Sequence, residues 1–255
     1  MGSVLVAFSG GVDSTFLLKV AVDTLGDKAA ALTATSPTYL ESELEEAKKL
    51  AKGFGVRHII VDSNELLIPN FAENPPNRCY FCKDELFTIC RQEAEKLKIS
   101  TVVDGFNIDD KGEHRPGKEA GIERGVRSPL EEAALTKDDI RALSKDLGIS
   151  TWDKPNLACL SSRFPYGTKI TEEALERLKV CEEFLRTLGF KQLRVRYHEA
   201  TARIEVEEDS IKLFANKELR DSVVKRFKAA GFTYVALDLI GYRSGSMNEV
   251  LKEEK

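Results

Sequence analysis

Val4-Leu5-Val6-Ala7-Phe8-Ser9-Gly10-Gly11-Val12-Asp13-Ser14 runs an apolar, strand-like stretch straight into Ser-Gly-Gly-x-Asp-Ser and then into a helix-like pattern. Gly10 and Gly11 permit a tight turn and close approach of the backbone to a ligand. Ser9, Ser14 and the first amides of the following helix can donate to anionic oxygens. The segment reads as a phosphate cradle, with a plain Gly-Ser turn as the bland alternative. No GK[ST] follows the glycines, which excludes a Walker A loop, and no G-x-G-x-x-G dinucleotide fingerprint is present.

SGGVDS resembles the SGGxDS motif of the PP-loop ATP pyrophosphatases. That resemblance implies an adenine nucleotide alpha hydrolase-like fold that splits ATP between the alpha and beta phosphates and hands AMP to a substrate oxygen. The surrounding pattern agrees. Phe16, Leu17, Val20, Ala21 and Leu25 recur at helical spacing over 14–25, and 29–35 reads as a second strand. Ser42 is expected to cap a helix running to Lys52, and 56–61 is a third strand before a Pro-rich loop over 69–76. A helix is predicted from near Cys82 to Leu97, then a fourth strand over 101–104. The polar, Gly-rich stretch 105–128 is too long for an ordinary connection and is expected to fold over a site. A helix over 137–147 is ended by Gly148. This alternation predicts an α/β, doubly wound, mostly parallel sheet.

From Tyr166 the pattern changes to a long helix (171–188), strands at 192–197 and 202–207, a helix at 217–230 and a strand at 234–240. A smaller C-terminal α+β domain is therefore expected, with domains at 1–165 and 166–255 and the boundary in the loop 155–165. The second domain is expected to bind substrate and mediate homo-oligomerisation.

The 255 residues, 42% of them hydrophobic, suffice for one large and one smaller core. No apolar run is long enough to span a bilayer, and Met1–Val4 lacks the features of a signal peptide, so a cytoplasmic location without membrane contact is expected. A net charge of −4 disfavours broad capture of nucleic acid and favours small substrates.

Five cysteines fall into two classes. Cys90 and Cys181 sit among apolar neighbours in helices and are assigned to packing. Cys79 and Cys82 form Arg-Cys-Tyr-Phe-Cys-Lys at a predicted helix start, where helix amides, Arg78 and Lys83 favour thiolates, and Cys159 stands in the loop LACLSSRFPYG. A closed zinc site would need a fourth ligand, and His58, His114 and His198 are dispersed. A structural disulfide is uncommon in the cytosol. An iron-sulfur cluster fits better, since three thiolates leave one iron of a four-iron cluster open. Spacing alone leaves zinc, redox and packing roles open.

Four segments together resemble the LarE family: SGGVDSTFLL, DGFNIDDKGEHRPGKEAGIERGVRSPL (104–130), KPNLACLSSRFPYGTKIT (154–171) and LRVRYHEATARIEV (193–206). The likeness spans nearly the whole chain. It implies a PP-loop sulfur transferase of nickel-pincer nucleotide (lactate racemase cofactor) synthesis. Such an enzyme converts carboxylates of pyridinium-3,5-biscarboxylic acid mononucleotide to thiocarboxylates. One branch of the family sacrifices the sulfur of a single cysteine matching Cys159; another carries three cysteines and a [4Fe-4S] cluster. Cys79, Cys82 and Cys159 together resemble the second branch, implying that the cluster's open iron carries sulfur from a sulfide source.

The expected site follows. Ser9, Gly10, Gly11, Asp13 and Ser14 hold ATP with Mg2+ screening its charge. Thr33 to Ser36 border the adenosine, with Gly105 and Asn107 opposite. Arg194 and Arg196 alternate on a strand and face one side; in the family the matching arginines line an anion site, and the bland alternative is an exposed strand face. Arg163 is expected to bind AMP phosphate or substrate. Lys154 and Arg115 are weaker candidates, Trp152 is assigned to packing, and Asp109 and Asp110 to closing the polar loop. A PP-loop tRNA thiolase is the runner-up, disfavoured by the acidic charge. A nucleotide-binding module with a structural metal is a third reading.

Overall fold

The computed structural model describes residues 1–111, 116–155 and 158–251. The chain forms two compact units, one of Met1–Phe71 with Asn77–Lys154 and the other of Ala72–Pro76 with Pro155–Lys255.

In the first unit the elements run β1 (Val4–Ala7), α1 (Val12–Leu25), β2 (Ala29–Thr35), α2 (Glu41–Gly53), β3 (Arg57–Asp62), α3 (Arg78–Leu97), β4 (Thr101–Val103), α4 (Pro116–Glu123), α5 (Pro129–Glu132) and α6 (Lys137–Asp146). Among the described residues its sheet has the order β3-β2-β1-β4, all parallel, with Val4 in register with both Ala29 and Thr101. Alternation along β1 sends side chains to two cores. Val4 and Val6 pack with Phe16, Leu17 and Leu18 of α1 and Ile140 of α6. Leu5 packs with Ala30, Leu32, and Cys90 and Ala94 of α3. Burial on both faces explains why β1 and β2 are continuous apolar runs rather than alternating ones. Helices on both faces and the reversal of strand order between β1 and β4 make this a doubly wound α/β fold.

Three local expectations shift. α3 begins at Arg78, four residues before Cys82, and so draws both Cys79 and Cys82 into its first turns. The prolines at 75 and 76 keep the backbone before them out of the helical region, so the helix is free to start just beyond. α2 starts at Glu41 after the buried Leu40, with no side-chain cap, so Ser42 lies inside the helix. The stretch 105–128 contains a helix, α4, because its glycines pack: a Cβ on Gly117 would fall 2.8 Å from Lys83 Cγ, and one on Gly121 3.2 Å from the Phe87 ring.

The second unit carries β5 (Leu193–His198), β6 (Thr201–Val206) and β7 (Tyr234–Leu237), with α7 (Glu172–Thr187) before them and α8 (Glu208–Ile211) and α9 (Lys217–Ala229) between β6 and β7. β5 and β6 are antiparallel and β6 and β7 parallel. β7 stops at Leu237 because the Asp238 carboxylate accepts from the amides of Ile240 (2.9 Å) and Gly241 (3.2 Å), closing a turn. The short segment 72–76 is fastened into this unit. Asn74, buried and left-handed at φ 55°, donates to the carbonyls of Phe164 (3.2 Å) and Pro165 (2.7 Å), and its own carbonyl accepts from Gly167 (2.9 Å). Among the described residues no helix is long and apolar enough to cross a membrane.

Leu18→Ala, at a fully buried α1 position, should lower stability by about 2–5 kcal/mol. Leu67→Ala, at a side chain 80% exposed, should stay within about 0.5 kcal/mol. Urea unfolding followed by circular dichroism checks both.

Candidate active site

The reversal of strand order brings the loop after β4 against the start of α1. A Cβ on Gly105 would lie 3.1 Å from the Ser14 amide nitrogen and 3.2 Å from Asp13 Cβ, so a side chain there would crowd the start of α1. Gly10 is left-handed at φ 70°, and a Cβ on it would meet the Ala47 Cβ of α2 at 3.2 Å. Gly11 is the N-cap of α1 and brings no side-chain cap. The first amides of the helix therefore point out of its N-terminus, the arrangement that binds anionic oxygens. Ser9 and Ser14 hydroxyls lie 3.1 Å apart, and Ser14 Oγ also reaches the Gly11 carbonyl (3.3 Å), which fixes the turn.

The predicted loop residues divide by the work they do. Asn107 Nδ2 donates to Asp13 Oδ1 (3.3 Å), while its Oδ1 accepts from the Asp109 amide (2.9 Å). Asp110 accepts from the Asn107 amide (3.0 Å), within the loop, and Asp109 accepts from the Lys137 amide (2.7 Å), which ties the loop to the start of α6. Asp104 is buried and accepts from Ser128 Oγ (2.7 Å); burial holds its carboxyl above the ordinary range despite that bond. Thr33 is buried and donates to the Phe8 carbonyl (2.7 Å). With its proton so committed, it accepts from His58 Nε2 (2.8 Å), an imidazole kept below its ordinary pKa by burial and then by Lys48. Ser36 forms a turn with Thr38, whose amide donates to Ser36 Oγ (3.2 Å). Arg115 and His114 lie outside the described residues.

Three further groups hold the cradle. Lys137, at the first position of α6, pairs with Asp13. Lys154 donates to the Gly10 carbonyl (3.0 Å) and pairs with Glu46 (2.7 Å), so it belongs to the loop rather than to solvent. Tyr39 donates to the Ser9 carbonyl (2.7 Å), and burial, then Glu43 and Glu46, raises its pKa so that it keeps this proton. A lysine or tyrosine in a polar stretch carries no local sequence signal of such a contact. The Thr136 and Asp139 capping box at the start of α6, which fixes Lys137, was readable. Trp152 is partly exposed, with Lys145 Nζ 4.8 Å from its ring centre.

Cys90 and Cys181 are fully buried, and burial pushes both thiols up to about 12, as packing cysteines require. Cys79 and Cys82 are one helical turn apart on α3. Arg78 Nη2 lies 4.0 Å from Cys79 Sγ, and Cys82 Sγ donates to Glu65 Oε1 (3.8 Å), which also takes Thr38 Oγ1 (3.3 Å). Cys159 is exposed at the head of the turn Leu160–Arg163 in the second unit. Within neither unit do three or more described His, Cys, Asp and Glu side chains form a metal-binding group.

The predicted arginines are buried, at 1% exposure for Arg163 and 4% for Arg194 and Arg196. Arg163 donates from Nε and Nη2 to the two oxygens of Glu182 (2.7 and 2.8 Å). Its Nη1 reaches the carbonyls of Ala158 (2.7 Å) and Cys159 (3.1 Å) and Ser162 Oγ (2.8 Å). Arg163 and then Arg194 draw the Glu182 carboxyl below the ordinary range against its complete burial. Arg196 pairs with Glu205 (2.7 Å) and donates to the Ser162 carbonyl (2.8 Å) and Ser246 Oγ (2.9 Å). Arg194 donates to the Leu193 carbonyl (2.7 Å) and lies 5.1 Å from the Tyr242 ring centre; burial, then Arg163, lowers its pKa to about 10.

Comparison with known proteins agrees with this geometry. The family model for queuosine biosynthesis protein QueC matches residues 3–71, the strand-loop-helix part of the nucleotide fold. An uncharacterised protein of Synechocystis sp. is 48% identical over 97% of this chain and 92% of its own length. Pyridinium-3,5-bisthiocarboxylic acid mononucleotide synthase of Lactiplantibacillus plantarum is 39% identical over 97% of this chain and 90% of its own length. The tRNA-specific 2-thiouridylase MnmA of Treponema denticola is 26% identical over 60% of this chain and 52% of its own length. A PP-loop cradle and a full-length match of this kind place the chain in the LarE family of ATP-dependent PP-loop sulfurtransferases.

Proposed function

We propose that this sulfurtransferase acts on pyridinium-3,5-biscarboxylic acid mononucleotide, activating its carboxylates with ATP and replacing oxygen with sulfur on the route to a nickel-pincer nucleotide. The observation that carries the reading is the full-length relationship to the bisthiocarboxylic acid mononucleotide synthase. The cradle supports it: Gly10 and Gly105 let the loop backbones pack closely against α2 and the start of α1, and α1 presents an N-terminus without a side-chain cap. ATP would lie along Ser9, Gly10, Gly11, Asp13 and Ser14, with Thr33, Ser36, Gly105 and Asn107 around it. Asp13 is the carboxylate that would hold a magnesium ion, which would screen the phosphate charge. A substrate carboxylate oxygen attacks the alpha phosphorus, and pyrophosphate leaves on the helix amides. Lys137, which pairs with Asp13, is the cation at hand for that charge. Hydrosulfide sulfur then takes the place of AMP at the acyl carbon, giving thiocarboxylate, AMP and a proton.

Cys79, Cys82 and Cys159 are the donor set for a [4Fe-4S] cluster. They fit that role because they are the three thiols not buried in cores, and thiolates are the usual cluster ligands. When bound, such a cluster supplies an iron without a protein ligand at which sulfide is exchanged. Arg194 and Arg196, on one face of β5, are proposed to set the anion-binding side of the substrate site, and the second unit to mediate self-association in the cytoplasm. A second reading, sacrifice of the Cys159 sulfur itself, draws on the exposure of Cys159 at the head of its turn.

Asp13→Ala and Ser14→Ala should abolish substrate-dependent pyrophosphate release without lowering iron content, and Gly105→Ala should raise the KM for ATP roughly tenfold or more, about 1.4 kcal/mol. Wild-type rates in all three would remove the loop from the mechanism. Each of Cys79→Ala, Cys82→Ala and Cys159→Ala should lower the iron and acid-labile sulfide of anaerobically reconstituted protein and stop sulfur transfer, while Cys90→Ala and Cys181→Ala keep both. If Cys159 alone is needed, and the wild-type protein loses the mass of hydrogen sulfide after one turnover, the sacrificial reading replaces the cluster.

A further inference from the structure

Arg163 and Glu182 are charged, paired and at 1% and 0% side-chain exposure. A buried pair of this kind is a poor device for stability, since two apolar side chains of similar volume would serve as well. What a guanidinium offers that a hydrocarbon does not is a set of directed donors. Here all three guanidinium nitrogens are engaged, two by the Glu182 carboxylate and the third by the turn that bears Cys159. The bidentate carboxylate fixes the plane of the guanidinium, and that plane in turn fixes the carbonyls of Ala158 and Cys159.

Glu182 extends the connection. Its Oε1 also accepts from the Val195 amide of β5 (2.9 Å), between the two arginines of that strand. Arg196, from the same strand, donates to the Ser162 carbonyl (2.8 Å), three residues beyond Cys159. The Cys159 turn is therefore held twice, by Arg163 at its head and by Arg196 at its middle, and both holds lead back to β5. Inside the turn, the Ser162 amide donates to the Cys159 carbonyl (3.0 Å) and the Phe164 amide to the Ser161 carbonyl (3.3 Å). A 3-10 segment of one turn has poorer hydrogen-bond geometry than an α-helix and is a weak element by itself.

We propose that Arg163, clamped by Glu182, is a positioning residue that sets the Cys159 turn in register with the arginine-bearing strand β5, rather than a ligand of AMP or substrate. The sulfur chemistry and the anion-binding face thereby belong to one hydrogen-bonded frame. This deepens the proposed function and rests on its assignment of Cys159 to sulfur transfer. The register itself is independent of that assignment.

The test uses the full-length protein in three forms: wild type, Arg163→Lys, and the double variant Arg163→Met with Glu182→Met. Lysine keeps a charge for Glu182 but cannot hold a carboxylate and two carbonyls in one plane. The double variant removes both charges and leaves neither one buried alone, so it keeps the proposal testable if the lysine variant folds poorly. Amide hydrogen exchange read by mass spectrometry should accelerate at least tenfold over 159–164 in both variants, while α7 away from residue 182 stays protected. The kcat for thiocarboxylate formation should fall at least tenfold in both, with the KM for ATP unchanged. Wild-type exchange in the turn would overturn the proposal. So would a tenfold rise in the KM for the pyridinium mononucleotide with exchange unchanged, which would make Arg163 a substrate ligand. If wild-type protein transfers no sulfur to that substrate, the proposed function fails, and the exchange measurement still decides whether Arg163 holds the turn.

Discussion

The parallel pairing of β1 on both of its edges is the constraint from which the nucleotide unit follows. A strand bonded to β2 on one side and β4 on the other sends its chain on to α1 while β4 sends its own chain the other way, so the two loops that leave their carboxyl ends part over a shared crevice. Everything at that crevice is short of space, which is why Gly105 lies over the Ser14 amide and why Gly10 is turned left-handed against α2. The anion-binding capacity of α1 is a consequence of topology first and of side chains second. Ser9, Ser14, Asn107, Lys137 and Lys154 refine a cradle that the order of strands has already opened.

The second unit is built on a different principle. Its strand β5 is buried on both faces, yet one face carries two arginines, and each of them needs partners before it can be taken out of water. Glu205, the carbonyls of Leu193 and Ser162 and, through its charge, Glu182 meet that need. Directional polar contacts, rather than hydrophobic packing alone, decide how the pieces of this unit register. A small sheet of three strands has little apolar area with which to specify a single arrangement among its loops.

The nucleotide fold was legible because its signals are local. Continuous apolar runs, the glycine turn and helical spacing each declare themselves within about ten residues, and they predicted β2 to the residue and α1 to within two. Signals that depend on distant partners were not legible. Gly117 and Gly121 look like loop glycines, and only the presence of Lys83 and the Phe87 ring explains them as the contact face of a helix. Arg194 and Arg196 show the alternation of a half-exposed strand, and only Glu205 of β6, nine residues away in the chain, explains how Arg196 is taken out of water. The capping box at Thr136 marks where Lys137 stands and Lys154 is a weaker candidate from sequence, yet nothing near Lys137, Lys154 or Tyr39 in the chain shows that its partner is the phosphate loop. The early start of α3 turned on Pro75 and Pro76, whose effect is to exclude helix before them rather than to name its first residue.

The segment Ala72–Pro76 belongs to the second unit although it lies between two stretches of the first. Its partners, the carbonyls of Phe164 and Pro165 and the amides of Gly167 and Ile170, come some ninety residues later in the chain. As the chain is made, Asn74 emerges long before anything exists for it to bind, and its buried amide must wait in water until the second unit begins to form. Cutting the protein after Lys154 would therefore not yield two self-sufficient halves: the amino-terminal piece would keep a strap with no partner, and the carboxyl-terminal piece would lose the residue that ties down the loop leading into α7.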